Sequence, residues 1–227
     1  MYICYVMDDK VMDEKRELRL SVSYSLLLTT LPWVVHILSA VFTLRLNRYG
    51  LRPLEAEGLV GIFTMPFLHS DWGHLISNTP ALILLIFGLF LFYKHGAWRI
   101  LFYLYIISGL LTWFMGRDST HVGASGIVYA LAAFHFLSGV IKKVPRQRAF
   151  AMLVAFLYGG FIWAFFPTLY SGTSISWEGH LSGLLTGIIL AVYFQKEGPE
   201  PPVYPFLEDE NEEKELDSED RLNFGEN

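Results

Sequence analysis

Among the polar side chains inside the apolar segments of this sequence, Asn78, Ser125 and His180 form a set with a definite chemistry. Polar groups are expensive in such segments and are functional candidates by default. A serine hydroxyl is a weak nucleophile until a base takes its proton. A neutral histidine can do this near pH 7. Attack on a carbonyl creates an oxyanion, which needs preorganised hydrogen-bond donors. Asn78 carries an amide NH₂, and His74 stands one helical turn earlier on the same face. Ser125 sits in Gly123-Ala124-Ser125-Gly126. Its flanking glycines let the backbone bend and let the serine NH approach a ligand closely. A helix start also points free NH groups at developing negative charge. The chemistry these residue types suggest is acyl transfer by a serine–histidine pair.

Such a set needs elements that hold it at one level. The chain has 227 residues, of which 53% are hydrophobic and 17% charged. Its mean hydropathy is +0.38. These values argue against a soluble protein. The single cysteine, Cys4, excludes an internal disulfide framework and a Cys-rich metal site. Uncharged apolar stretches lie at 21–44, 75–93, 100–115, 122–141, 149–177 and 180–195. A bilayer crossing takes roughly 20 residues, so the fifth is too long for one span. Pro167 and the polar run 171–174 divide it into a helix and a loop. The expected fold is an all-α membrane protein of six transmembrane helices. The first segment lacks the cleavage pattern of a signal peptide.

With six spans both termini share a side. Placing them in the cytoplasm puts eleven Lys and Arg there against four on the other side, as the positive-inside rule requires. Asn78 then lies 16 residues before Lys94, Ser125 lies 17 before Lys142, and His180 lies 16 before Lys196. At 1.5 Å per residue each sits roughly 24–26 Å above the cytoplasmic edge. The three spans run the same way, so these side chains can meet in one plane. The outer loop 45–73 is unusually apolar and is expected to lie in the membrane interface or on the bundle. Three regions follow. Residues 1–20 form a cytoplasmic segment, with an interfacial helix expected over 13–20. Residues 21–196 form the six-helix domain. Residues 197–227 carry two basic and twelve acidic residues and read as a disordered cytoplasmic tail.

The sequence resembles the rhomboid family of intramembrane serine proteases over about residues 20–196. His74-Leu75-Ile76-Ser77-Asn78 is similar to the family's H-x-x-x-N at the start of the second helix. Gly123-Ala124-Ser125-Gly126 resembles its G-x-S-G, and Gly179-His180-Leu181-Ser182-Gly183 with Gly187 resembles its histidine motif. The resemblance implies Ser125 as nucleophile and His180 as general base, without a catalytic aspartate. It implies His74 and Asn78 as oxyanion donors beside the Ser125 NH, and Tyr129 as the aromatic stacked on the histidine. Gly183 and Gly187 match the glycines that seat the sixth helix on the fourth, a role that small residues one turn apart also have on physical grounds. The family's Trp-Arg pair in the first outer loop is not evident; Arg52-Pro53 is the nearest feature. Gly179 stands where alanine is common.

Other readings stay open at this stage. Ser125 can be a packing residue, and His180 an interhelical hydrogen-bond partner. His74 and Asn78 can cap a helix. His121 is a second candidate base or loop structure. Asp118 and Glu178 read as solvated outer-loop charges, although either could orient His180. His69 and Asp71 beside His74 suggest a metal cluster, but no paired ligands lie on one helix, so no metal or other cofactor is expected. The expected partners are single-span membrane protein substrates and the lipid bilayer, with no nucleic acid; the oligomeric state is unknown. A bacterial inner membrane is the expected location. The rival readings are a catalytically inactive relative that binds membrane clients and a transporter. The spans carry no Asp, Glu, Lys or Arg, which counts against ion coupling.

Overall fold

A computed structural model describes residues 2–160 and 176–200. The end of the fifth span, Pro167, the loop to residue 175 and the acidic tail from 201 lie outside the described residues. Helix α1 runs without a break over Tyr2–Val41, so the stretch 13–20 continues straight into the first span. A single turn, α2, spans Gly61–Thr64. The other long helices are α3 (Trp72–Tyr93), α4 (Ala97–Met115), α5 (Ser125–Lys142), α6 (Pro145–Tyr158) and α7 (Trp177–Tyr193). Among the described residues the fold is all-helical, with one isolated bridge between Leu51 and His121.

Local sequence fixes the ends. The Asp71 carboxylate caps α3 by accepting from the His74 NH at 2.9 Å. Ser176 caps α7 by accepting from the Gly179 NH at 3.2 Å. Lys143, at φ 59°, closes α5 in the left-handed region, and Pro145 opens α6 from a position that needs no NH.

Helix α5 lies at the centre and packs on α3, α4, α6 and α7, while α1 lies at the edge against α3. Leu85, Leu89, Ile100, Leu104, Leu131 and Phe134 are fully buried in the core. Around the outside, Leu27, Val34, Phe102, Phe156, Ile189 and Val192 are exposed. Such a surface is an aggregation liability in water and costs nothing against lipid tails. Among the described residues three helical stretches are long and apolar enough to cross a membrane: Met12–Val41, Trp72–Met115 and Ser125–Lys142. The second takes in both α3 and α4.

Helices α5 and α7 meet along a tight seam of glycines. A Cβ on Gly183 would lie 2.1 Å from the Gly126 carbonyl oxygen, and one on Gly187 would lie 2.2 Å from that of Ala130. Only glycine permits this approach, and it brings the start of α5 against α7. The outer loop is half packed and half exposed. Leu51, Ile62 and Met65 form a small core with Ile106 and Trp113, while Leu59, Val60 and Phe63 face outward. The loop is tied to α4 by hydrogen bonds from Trp113 Nε1 to the Glu55 carbonyl at 2.9 Å and from Tyr105 to the Phe63 carbonyl. Arg52, the nearest match to the family's arginine, pairs with Glu55 and Glu57 of its own loop at 2.9 and 3.1 Å.

Candidate active site

Ser125 is the first residue of α5 and His180 lies in the first turn of α7. The glycine seam brings them together: His180 Nε2 is 3.0 Å from Ser125 Oγ. Tyr129, one turn along α5 from Ser125, stacks on the imidazole with centroids 4.3 Å apart and planes 16° from parallel. The histidine ring is 7% exposed, so its plane is set by packing. Gly123, at φ 117°, turns the chain into α5. Its missing side chain also makes room for His74, because a Cβ there would lie 2.5 Å from His74 Cε1 and 2.7 Å from Nε2.

The two residues expected as oxyanion donors project from α3 into the same cavity, a space of about 790 Å³ lined by Ser125, Tyr129 and His180 as well. Each has a partner. His74 Nδ1 lies 3.2 Å from Ser70 Oγ, and Ser70 donates its one hydrogen to Asp71 Oδ2 at 2.7 Å. Ser70 is thereby left to accept from Nδ1–H of His74. Asn78, buried, has its Nδ2 3.3 Å from His69 Nε2. Burial, and secondarily the neighbouring His74, push the His69 imidazole down to about 4, with the Phe67 backbone pulling the other way.

His121 is not aimed at Ser125 as a base. Its backbone pairs with Leu51, its Nδ1 meets Ser176 Oγ at 2.6 Å, and its Nε2 lies 3.1 Å from the Arg117 carbonyl. Burial holds the ring below its ordinary range. It joins the outer loop, the approach to α5 and the cap of α7.

A rhomboid domain model matches residues 56–197. The chain belongs to the rhomboid family. The matched rhomboid region contains Ser125, His180, His74, Asn78 and Tyr129 together with the glycines of the seam. An uncharacterized protein of Mycobacterium bovis is 33% identical over 170 residues, covering 71% of this chain and 70% of that protein. One of Mycobacterium leprae is 30% identical over 190 residues, covering 79% and 74%. Rhomboid-like protein 11, chloroplastic, of Arabidopsis thaliana is 30% identical over 160 residues, covering 59% of this chain and 51% of its own. With a rhomboid domain and several apolar helices, the chain is a multi-pass integral membrane protein.

Two features of this rhomboid differ from the sequence reading. Glu178 is not a solvated charge: it is 2% exposed, with Oε1 3.6 Å from Arg117. The guanidinium comes from a different loop and makes the burial tolerable. His69 was legible only as a possible metal ligand, yet it contacts Asn78. Among the described residues no three His, Cys, Asp or Glu side chains converge to hold a metal.

Proposed function

We propose that this rhomboid is an intramembrane serine endopeptidase that cleaves single-span membrane proteins within or beside their transmembrane helix. The observation that carries the reading is the 3.0 Å contact of His180 Nε2 with Ser125 Oγ beside a cavity that His74 and Asn78 also line. His180 takes the proton of Ser125 as Oγ attacks the scissile carbonyl. The Ser125 NH, Asn78 and His74 stabilise the oxyanion. His74 Nδ1 lies against Ser70 Oγ, which leaves the Nε2 edge of the ring to face the oxyanion. His180 then protonates the leaving amine, and water releases the acyl group from Ser125. Tyr129 keeps the imidazole plane fixed through both transfers. A peptide bond in an intact helix has its carbonyl engaged, so the substrate helix must unwind locally, which favours helix-breaking residues near the cut. In this reading both termini lie in the cytoplasm of a bacterial cell, and the site opens to water on the opposite side.

The test is cleavage of a labelled single-span substrate by the purified protein, beside Ser125→Ala, with a fluorophosphonate probe on both. The expected result is cleavage and labelling by the wild type and neither by Ser125→Ala. A wild type that neither cuts nor labels across a substrate panel would replace this reading with that of an inactive client-binding relative.

A further inference from the structure

A carboxamide has two ends of nearly equal size and opposite hydrogen-bonding character. If Asn78 presented its carbonyl rather than its NH₂ to the cavity, it would repel an oxyanion. Something must choose the end. Asn78 is 7% exposed, and the polar contact made by its amide nitrogen is with His69 Nε2 at 3.3 Å. A bare imidazole nitrogen accepts a hydrogen bond and cannot donate one, so it pairs with the NH₂ end alone. His69 is suited to remain bare there. It is 2% exposed, and burial, helped by His74 and His36, keeps the ring neutral against the lesser pulls of the Phe67 backbone and Asp71. A neutral ring carries one N–H, and the Phe67 backbone favours it on the nitrogen that does not face Asn78, which leaves Nε2 bare.

His69 is itself held from two sides. Its carbonyl accepts from Asn47 Nδ2 at 3.2 Å, and its ring stands edge-on to that of His74 with centroids 5.0 Å apart. One N–H of Asn78 is therefore committed to a fixed acceptor. The second remains for the cavity that Asn78 lines with Ser125 and His180.

We infer that His69 is a positioning residue that sets the orientation of the Asn78 carboxamide, so that an N–H and not a carbonyl faces the nucleophile. This rests on the protease reading above. His69 touches no reacting atom; it acts through Asn78.

The test is a double-mutant cycle on the full chain. His69→Phe keeps a flat ring of similar size and removes the acceptor, whereas His69→Gln restores an acceptor oxygen. In the wild-type background His69→Phe is expected to lower kcat about tenfold with little change in KM, and His69→Gln to recover part of the loss. In an Asn78→Ala background His69→Phe is expected to cost nothing further. Equal fold-losses in both backgrounds would overturn the inference, because His69 would then act on the fold rather than through Asn78. A second measurement does not depend on activity. With the Asn78 side chain labelled with ¹⁵N, one amide proton is expected to be displaced from the ordinary range in the wild type and to return to it in His69→Phe. An amide pair indifferent to that substitution would overturn the inference even in an active enzyme. A wild type without activity but with the displaced proton would sink the protease reading and leave the hydrogen bond standing.

Discussion

Replacing Gly183 by alanine tests whether the distance between α5 and α7 controls the chemistry. The added Cβ would lie 2.1 Å from the Gly126 carbonyl oxygen and 3.1 Å from the Ala130 nitrogen, and real Cβ atoms essentially never come within 3.0 Å of another atom. The obstacle is backbone on both sides, so no side chain can swing away. Helix α7 must retreat by about 1 Å to restore ordinary contact. Gly126 follows Ser125 directly, and His180 lies less than one turn from Gly183, so the retreat is delivered almost undiminished to the pair. The Oγ–Nε2 separation of 3.0 Å becomes about 4 Å, beyond hydrogen-bond range. A misplacement of that size costs roughly 10²-fold in rate. The assay is cleavage of a labelled substrate together with the rate of fluorophosphonate labelling of Ser125. Gly159→Ala serves as the control, since nothing lies within 4 Å of a Cβ there. Wild-type rates in Gly183→Ala would refute the idea that the seam sets the distance.

Other outcomes follow from the same geometry. Tyr129→Leu removes the stacked ring 4.3 Å from His180 and should slow cleavage roughly 3- to 10-fold, the equivalent of about 0.5–1.5 kcal/mol of aromatic contact; kcat should fall and KM stay near its value. Asp71→Ala removes the cap on α3, and denaturation in detergent should show a loss of about 1 kcal/mol. Stability should also depend on pH through His69. Its value falls from 6.5 to about 4 in the folded chain, so the unfolded chain binds more protons between those two values. The full stability is present above pH 6.5 and declines as pH drops toward about 4, by on the order of 3 kcal/mol from this group. Thermal unfolding across that range checks the slope, and His69→Gln should flatten it.

The parts of the site that sit on regular helix were legible in the sequence, because helical spacing converts position into height and direction. Ser125 and Tyr129 share a face by their separation of four residues, as do Gly183 and Gly187, and the matched heights of Asn78, Ser125 and His180 followed from counting along three parallel spans. What sequence could not supply was the meeting of loops. His69 and Asn78 are nine residues apart with a change of direction between them, and no periodicity spans such a corner. Glu178 looked solvated because its cation, Arg117, arrives from a segment sixty residues earlier. The bridge of Leu51 to His121 is made by backbone atoms, which leave no trace in residue identity. The continuity of α1 through 13–20 was hidden by charges that read as an interfacial boundary and that the helix simply carries.

The contacts of His121 have a mechanical consequence. Two rods joined at one point can pivot about it, whereas rods joined at two points keep their angle. Helices α5 and α7 touch through glycine well inside the bundle, and at the mouth of the cavity a single imidazole ties the segment entering α5 to the serine that caps α7. The nucleophile and its base lie between these two fastenings. Thermal rocking of one helix against the other is therefore smallest where the proton has to cross, and the tolerance of the machine is set at its ends.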